Sequence, residues 1–278
     1  MTTDTQRTKA SILRSLTADG SVLVLPNAWD AASALQIVAA GARAIATTSA
    51  GVAWALGRND GQGMTRELAV EAVGRITASV DVPVSADIEG GYGPAPEGVA
   101  ETVRSVVGAG AVGINLEDSQ APGGPLFDTD DQAARIRAAR EAAAAAGLPD
   151  LVINARTDVF LFGIGEEAGR LEDVTKRASA FAEAGADSLF VPGLLDLAVI
   201  AELVARSALP VNIMAGPGAP GVDELRKAGV RRVSVGSAIP QAVYGLAKKA
   251  AAEILSRGTY TALDDAEDFG NLNAFPTR

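Results

Sequence analysis

Ala184-Gly185-Ala186-Asp187-Ser188-Leu189-Phe190-Val191 is one of four stretches in which a short Ala-Gly phrase joins an alanine-rich segment to an apolar run. The others are Ala40-Gly41-Ala42 before residues 43–48, Ala109-Gly110-Ala111 before 112–116, and Ala228-Gly229-Val230 before 231–235. Glycine takes the left-handed backbone conformation at little steric cost, so each phrase reads as a helix end feeding a strand. Chance pairing in an alanine-rich chain does not explain why the same strand pattern follows all four. Working outward, strands are expected at 22–25, 44–48, 82–88, 112–117, 151–157, 188–191, 210–215 and 232–236. They are mostly unbroken apolar runs, as parallel strands buried on both faces require.

Helical patterns lie between them. Over 166–183, Leu171, Val174, Ala178 and Phe181 share one face. Over 128–146, Thr129 or Asp130 is the expected N-cap and Gly147 the end. Eight strands alternating with helices over about 250 residues point to an α/β (β/α)8 TIM barrel. The runner-up is an open doubly wound sheet, but Leu25-Pro26-Asn27-Ala28-Trp29 stands where that fold places a glycine-rich turn. No linker composition divides the chain, so 1–278 is expected to be one domain, with its barrel core at about 21–257 and a tail from 258.

Composition removes much chemistry. The 278 residues include 24 Lys or Arg against 34 Asp or Glu, a net charge of -10, with no His and no Cys. Nucleic acid and anionic membranes are therefore unexpected partners. Disulfides, thiolate nucleophiles and the Ser-His-Asp triad are excluded. The polar start lacks a signal peptide's apolar core, and no apolar run reaches the ~20 residues of a membrane span, so a cytoplasmic location is expected.

Barrel chemistry sits at the carboxyl ends of strands. Those ends carry Ser49-Ala50-Gly51, Asp60, Asp87 with Glu89, Glu117-Asp118, Arg156 with Asp158, and Asn212. Asp87 and Glu89 are two apart and should both face inward, whereas Asp118 should face away. Carboxylates without His or Cys make a hard-oxygen site suited to Mg²⁺ or Mn²⁺. Arg156 is either a bidentate clamp for a substrate carboxylate or a buried ion-pair partner. Ser49-Ala50-Gly51 is either a backbone anion seat or an ordinary turn. Asp118 and Asp158 are the members most readily explained by local pairing, and Trp29 and Trp54 read as packing residues.

Taken together, Pro26-Asn27-Ala28-Trp29-Asp30, Thr47-Thr48-Ser49-Ala50-Gly51, Asn59-Asp60, Ala86-Asp87-Ile88-Glu89-Gly90-Gly91-Tyr92-Gly93, Gly113-Ile114-Asn115-Leu116-Glu117-Asp118 and Asn154-Ala155-Arg156-Thr157-Asp158 resemble the isocitrate lyase/phosphoenolpyruvate mutase superfamily. The resemblance runs over about 25–237 and is phosphonomutase-like. It implies a Mg²⁺-dependent lyase (Mn²⁺ as the alternative) that cleaves a C–C or P–C bond next to a 2-oxo acid through a metal-stabilised enolate. It further implies Asp87 as direct metal ligand, with Asp60, Glu89 and Glu117 holding the ion mostly through waters. Ser49, Ala50, Gly51, Arg156 and Asn212 become the substrate-binding set, and Arg156, Glu117 and Asp60 the catalytic one.

Departures from the family pattern narrow the reading. The C–C lyases carry a Lys-Lys-Cys-Gly-His or Lys-Arg-Cys-Gly-His gate after the fourth strand, whereas Ser119-Gln120-Ala121-Pro122-Gly123-Gly124-Pro125-Leu126-Phe127 stands here. Isocitrate and methylisocitrate cleavage are therefore not expected. Decarboxylation of oxaloacetate or a similar 2-oxo diacid needs no gate acid, and is favoured. The alternatives are a non-catalytic 2-oxo-acid binder, or a phosphoenolpyruvate/phosphonopyruvate mutase or hydrolase using Arg156 with Ser119 or Gln120. The resemblance also implies a homodimer or homotetramer, in which the helix 240–255 is exchanged between subunits or the tail carrying Phe269, Leu272 and Phe275 docks on a neighbour.

Overall fold

The computed structural model describes residues 2–18 and 21–275. Its parallel strands are β1 Leu23–Leu25, β2 Asn27–Ala28, β3 Ile45–Thr47, β4 Val84–Asp87, β5 Gly113–Glu117, β6 Val152–Arg156, β7 Ser188–Val191, β8 Val211–Met214 and β9 Arg232–Ser234. Each of the eight expected positions holds a strand. The extra count arises because the first is split: β1 pairs with β9, β2 pairs with β3, and Pro26 lies between them. Proline has no N–H for a ladder, so the strand changes neighbours there and completes the ring of a (β/α)8 barrel.

The repeated phrase has one geometry throughout. Gly41, Gly110, Gly185 and Gly229 have φ of 100°, 97°, 97° and 90°. In each case the following N–H reaches back into the helix, from Ala42 to the Ile37 carbonyl, Ala111 to Val106, Ala186 to Phe181 and Val230 to Leu225. This is a left-handed helix ending that turns the chain straight into the next strand.

Two helix details differ from expectation. Helix Thr129–Ala145 takes Asp128 as its N-cap, and that side chain makes no capping bond; Thr129 and Asp130 lie inside the first turn. The barrel core also starts before residue 21. Helix Asp4–Ala18 buries Ala10, Leu13 and Leu16 in the main core, and Gln6 donates to the carbonyls of Val107 and Ala111 just before β5. A Cβ on Gly113 would meet Leu13 at 2.9 Å, so the helix presses on the amino end of β5. It plugs the floor of the barrel opposite the carboxyl-end rim.

Helix Ala238–Arg257 buries only Pro240 and Ala250. Val243, Tyr244, Leu246 and Ile254 are exposed, as are Leu255 at 87% and Phe269 at 79%. The tail folds back onto its own helix through Glu253, which accepts from Thr259, Thr261 and Ala262. Among the described residues no helix is long and apolar enough to cross a membrane.

We propose a second copy of the chain as the cover for this apolar face, since burying one large apolar side chain is worth roughly 1.5–3 kcal/mol. Light scattering after size exclusion should give a mass two or four times 28.2 kDa; a monomer at micromolar concentration counts against this cover. Truncation after Gly258 should weaken the assembly if the tail forms the contact.

Candidate active site

A cavity of about 210 Å³ opens at the carboxyl ends of the strands, with Ser49, Ala50, Asp60, Asp87, Arg156 and Asn212 in its wall. Asp87 ends β4. Its carboxylate accepts the N–H of Ser49 at 3.1 Å, the N–H of Glu89 at 3.2 Å and the Asn115 amide at 3.2 Å. Its own N–H donates to the Thr47 hydroxyl at 2.8 Å. From Asn115 a chain of amides crosses the interior. Asn154 donates to Asn115 at 3.0 Å and to Asn212 at 3.2 Å, and Asn212 donates to the Ser234 hydroxyl at 3.2 Å. Strands β4, β5, β6, β8 and β9 are thus joined inside the barrel by side chains.

The anion seat at Ser49-Ala50-Gly51 is partly spent. The Ser49 N–H already serves Asp87 because that carboxylate ends the strand beside it. Gly51 lies outside the cavity wall; a Cβ there would meet Trp29 at 2.8 Å and Thr48 at 2.9 Å, so its small size serves packing. Ala50 remains in the wall. The tryptophans pack as expected: Trp29 lies in an apolar cluster and Trp54 meets Tyr244 edge-on at 6.3 Å.

Arg156, at the end of β6, combines both expected readings. Its Nε and one terminal nitrogen fork onto Asp158 at 2.6 and 3.2 Å, and the other terminal nitrogen pairs with Glu117 at 2.9 Å. Of the guanidinium's five N–H donors, three are thereby engaged, leaving two for a ligand. Burial works against its charge, but Glu117 and Asp158 outweigh that and hold it protonated. Burial raises the Glu117 carboxyl, opposed by Arg156. Asp118 turns away as expected and pairs with Arg177 at 3.1 Å. Burial lifts it to about 6 despite that partner. Asp158 is the residue that aims Arg156.

Glu89 departs from the two-residue alternation because its backbone is left-handed, with φ 50°. Its carboxylate accepts the Gln62 N–H and the Tyr92 hydroxyl, the latter at 2.8 Å. Gln62 and Tyr92 have φ of 62° and 54°, and these three are the positive-φ residues other than glycine among the described residues. Each such conformation costs of order 1–3 kcal/mol, and one buried carboxylate pins all three. Burial pushes Glu89 up to about 7, against the bonds from Gln62 and Tyr92. Asp60 is exposed at the mouth, and its carboxyl is raised by desolvation and then by Asp87.

Asp87, Asp60, Glu89 and Glu117 do not converge as direct ligands of one ion, an arrangement that the expected water-mediated role of the last three does not require. Among the described residues no three acidic side chains come together closely enough to hold an ion. Glu89 is turned to Gln62 and Tyr92, and Glu117 to Arg156. Asp87 and Asp60 remain in the cavity wall. A pair of hard-oxygen donors in a water-accessible cavity fits a Mg²⁺ that keeps most of its waters.

The 119–127 loop is a tight turn. Ser119 bridges to Leu126, Phe127 donates to the Asp118 carbonyl at 2.7 Å, and Pro122 lies where a Cβ on Gly61 would sit. The buried Ser119 donates to Asp158, and the exposed Gln120 donates to the Leu126 carbonyl. Sequence reasoning missed Thr47, Tyr92 and Gln62 as supports and Arg232 in the cavity wall. The alternation 232 in, 233 out, 234 in was a usable signal for Arg232.

Comparison with known proteins agrees with this geometry. Residues 13–255 match the family model described as phosphoenolpyruvate phosphomutase. The chain is 37% identical to a structure from Burkholderia cenocepacia provisionally described as a lyase/mutase, covering 97% of this chain and 96% of that one at a TM-score of 0.90. It is 32% identical over 209 residues to 2-methylisocitrate lyase of Escherichia coli, covering 71% of this chain and 68% of the relative. A structure of oxaloacetate acetylhydrolase with its product oxalate is 25% identical, covers 96% of this chain and 93% of that one, and has a TM-score of 0.85.

The raised Glu89 carboxyl has a consequence for stability. Between its ordinary 4.5 and about 7 the folded chain holds a proton that the unfolded chain releases. Its contribution to stability is therefore present at low pH and lost as pH rises through that window, by at most ~1.4 kcal/mol per pH unit. In chelator, the wild-type melting temperature should fall from pH 5 to pH 7 more steeply than that of Glu89→Gln. Parallel curves would show that Glu89 does not carry the shift.

Proposed function

Because this chain belongs to the phosphoenolpyruvate phosphomutase family, we propose that it is a Mg²⁺-dependent lyase acting on a small 2-oxo acid, by decarboxylation of an oxaloacetate-like diacid. The supporting observation is the pairing, in one cavity, of a hydrogen-bonded Asp87 with an Arg156 that keeps two donors free. A relative that acts on oxaloacetate and holds oxalate supports the substrate class.

When bound at Asp87 and Asp60, Mg²⁺ supplies Lewis-acid polarisation of the oxo group. The chain's own residues do the rest. Ser49, Glu89 and Asn115 fix the direction of Asp87. Asp158 and Glu117 fix the plane of Arg156, whose remaining N–H groups face the charge that develops when CO₂ leaves and its bonding electrons enter the enolate. Water then protonates the enolate carbon, which is consistent with the absence of His, Cys and a gate lysine. The same absence separates this reading from 2-methylisocitrate cleavage despite the sequence likeness. The mutase or hydrolase alternative would draw on Arg156 with Ser119 or Gln120, whose side chains are bonded to Asp158 and to the Leu126 carbonyl.

Incubation with oxaloacetate and Mg²⁺ should form pyruvate above the uncatalysed rate, and Asp87→Ala should abolish it. Tight binding of oxaloacetate without turnover would instead mark a binder. Millimolar Mg²⁺ should raise the melting temperature of wild type and do little for Asp87→Ala. Arg156→Lys cannot fork onto Asp158, and kcat/KM should fall at least about tenfold, ~1.4 kcal/mol. Loss of folding with affinity preserved would make Arg156 purely structural.

A further inference from the structure

Arg232 opens β9 with its side chain inside the barrel. It is 3% exposed and forms part of the cavity wall. Residues in register run Glu117, Arg156, Phe190, Asn212, Arg232 across β5 to β9, so the two arginines sit on one line with Phe190 and Asn212 between them. Their surroundings differ. Arg156 has Glu117 and Asp158. Arg177, also buried, has Asp118 and Asp173. Arg135 donates to the carbonyls of Gly90, Gly93 and Pro94.

The Arg232 side chain has no ion pair or hydrogen bond among the described residues, and its Nε is buried without a partner. The Ser85 hydroxyl in the same cavity wall is also buried and unpartnered. A buried charge without a partner is strongly destabilising, and a fold retains one where something else supplies the partner. Burial lowers the Arg232 pKa to about 10 while Asp87 opposes the shift, so the group stays cationic at neutral pH. A divalent cation on Asp87 and Asp60 would offset those two carboxylates and leave Arg232 as the uncompensated charge of the cavity.

We propose that Arg232 receives the second carboxylate of a dicarboxylate ligand, so that the cavity selects a 2-oxo diacid over a 2-oxo monoacid. This deepens the 2-oxo acid reading above and rests on it for the oxo group alone. A guanidinium offers a carboxylate two parallel N–H bonds, and in a low-dielectric cavity that pairing discriminates strongly against a methyl group in the same place.

The test is calorimetric binding and thermal shift with Mg²⁺, using oxaloacetate, 2-oxobutyrate and succinate as probes on wild type, Arg232→Met and Arg232→Lys. Wild type should prefer oxaloacetate to 2-oxobutyrate by about tenfold or more, and Arg232→Met should reduce that preference to within about twofold. Arg232→Lys should keep part of it. Without ligand, Arg232→Met should melt no lower than wild type, because it removes an unpaired buried charge. A preference that survives in Arg232→Met overturns the proposal. So does equal weakening of both oxo acids, which would make Arg232 a counter-charge for Asp87. If Arg232→Met fails to fold, the proposal is overturned unless Arg232→Lys folds with a reduced but measurable preference. If wild type binds neither oxo acid, the 2-oxo acid reading fails by itself, and succinate decides the arginine: stabilisation lost in the variants supports the subsite, and its absence in wild type overturns it.

Discussion

A carboxylate inside a barrel must be hydrogen-bonded or neutralised, and the bonds that Asp87 receives from Ser49, Glu89 and Asn115 tie together the elements that form the cavity. The Asn115–Asn154–Asn212–Ser234 chain extends that tie across the floor of the site, to the strand that carries Arg232. Each amide there is both donor and acceptor, so none can be removed without leaving a buried partner unsatisfied, at about 1–3 kcal/mol. The interior of this barrel is therefore polar by construction. Its apolar core lies instead between strands and helices and beneath the amino-terminal helix.

Around that floor the acids divide into three kinds. Asp118 and Asp158 are fully buried with arginine partners, and they position β5, β6 and Arg156. Glu89 is a tether for three strained backbones, which gives the loops carrying Gln62 and Tyr92 a fixed relation to β4. Asp60 and Asp87 face the cavity. Under the proposed function this pair is where the cation would sit. The rest act by holding the pair in place, which is how a site with few reactive groups keeps a defined shape.

Much of this was legible in the chain, but unevenly. The four Ala-Gly phrases foretold the helix endings because a left-handed residue followed by an apolar run has one cheap solution, a glycine cap feeding a strand. The strands were legible because parallel strands buried on both faces leave continuous apolar runs. The amino-terminal helix was not, although Ala10, Leu13 and Leu16 carry its period; a short stripe in a polar segment does not announce what it covers. Arg156 was readable as a charged group among acids, but whether it was clamp or ion-pair partner depended on how far Asp158 reached.

Residue order and chemical type alone determined the barrel, the rim that carries the chemistry, and the exclusion of thiol, imidazole and gate-lysine mechanisms, because those follow from local periodicity and from which side chains exist. Tertiary structure alone decided which carboxylates are free. Glu89 and Glu117 differ from Asp87 in their neighbours, and those neighbours, Gln62 with Tyr92 and Arg156, come from loops and strands distant in sequence. The isolation of Arg232 is of the same kind: a missing partner is a property of the space around a side chain, and no spacing along the chain records it.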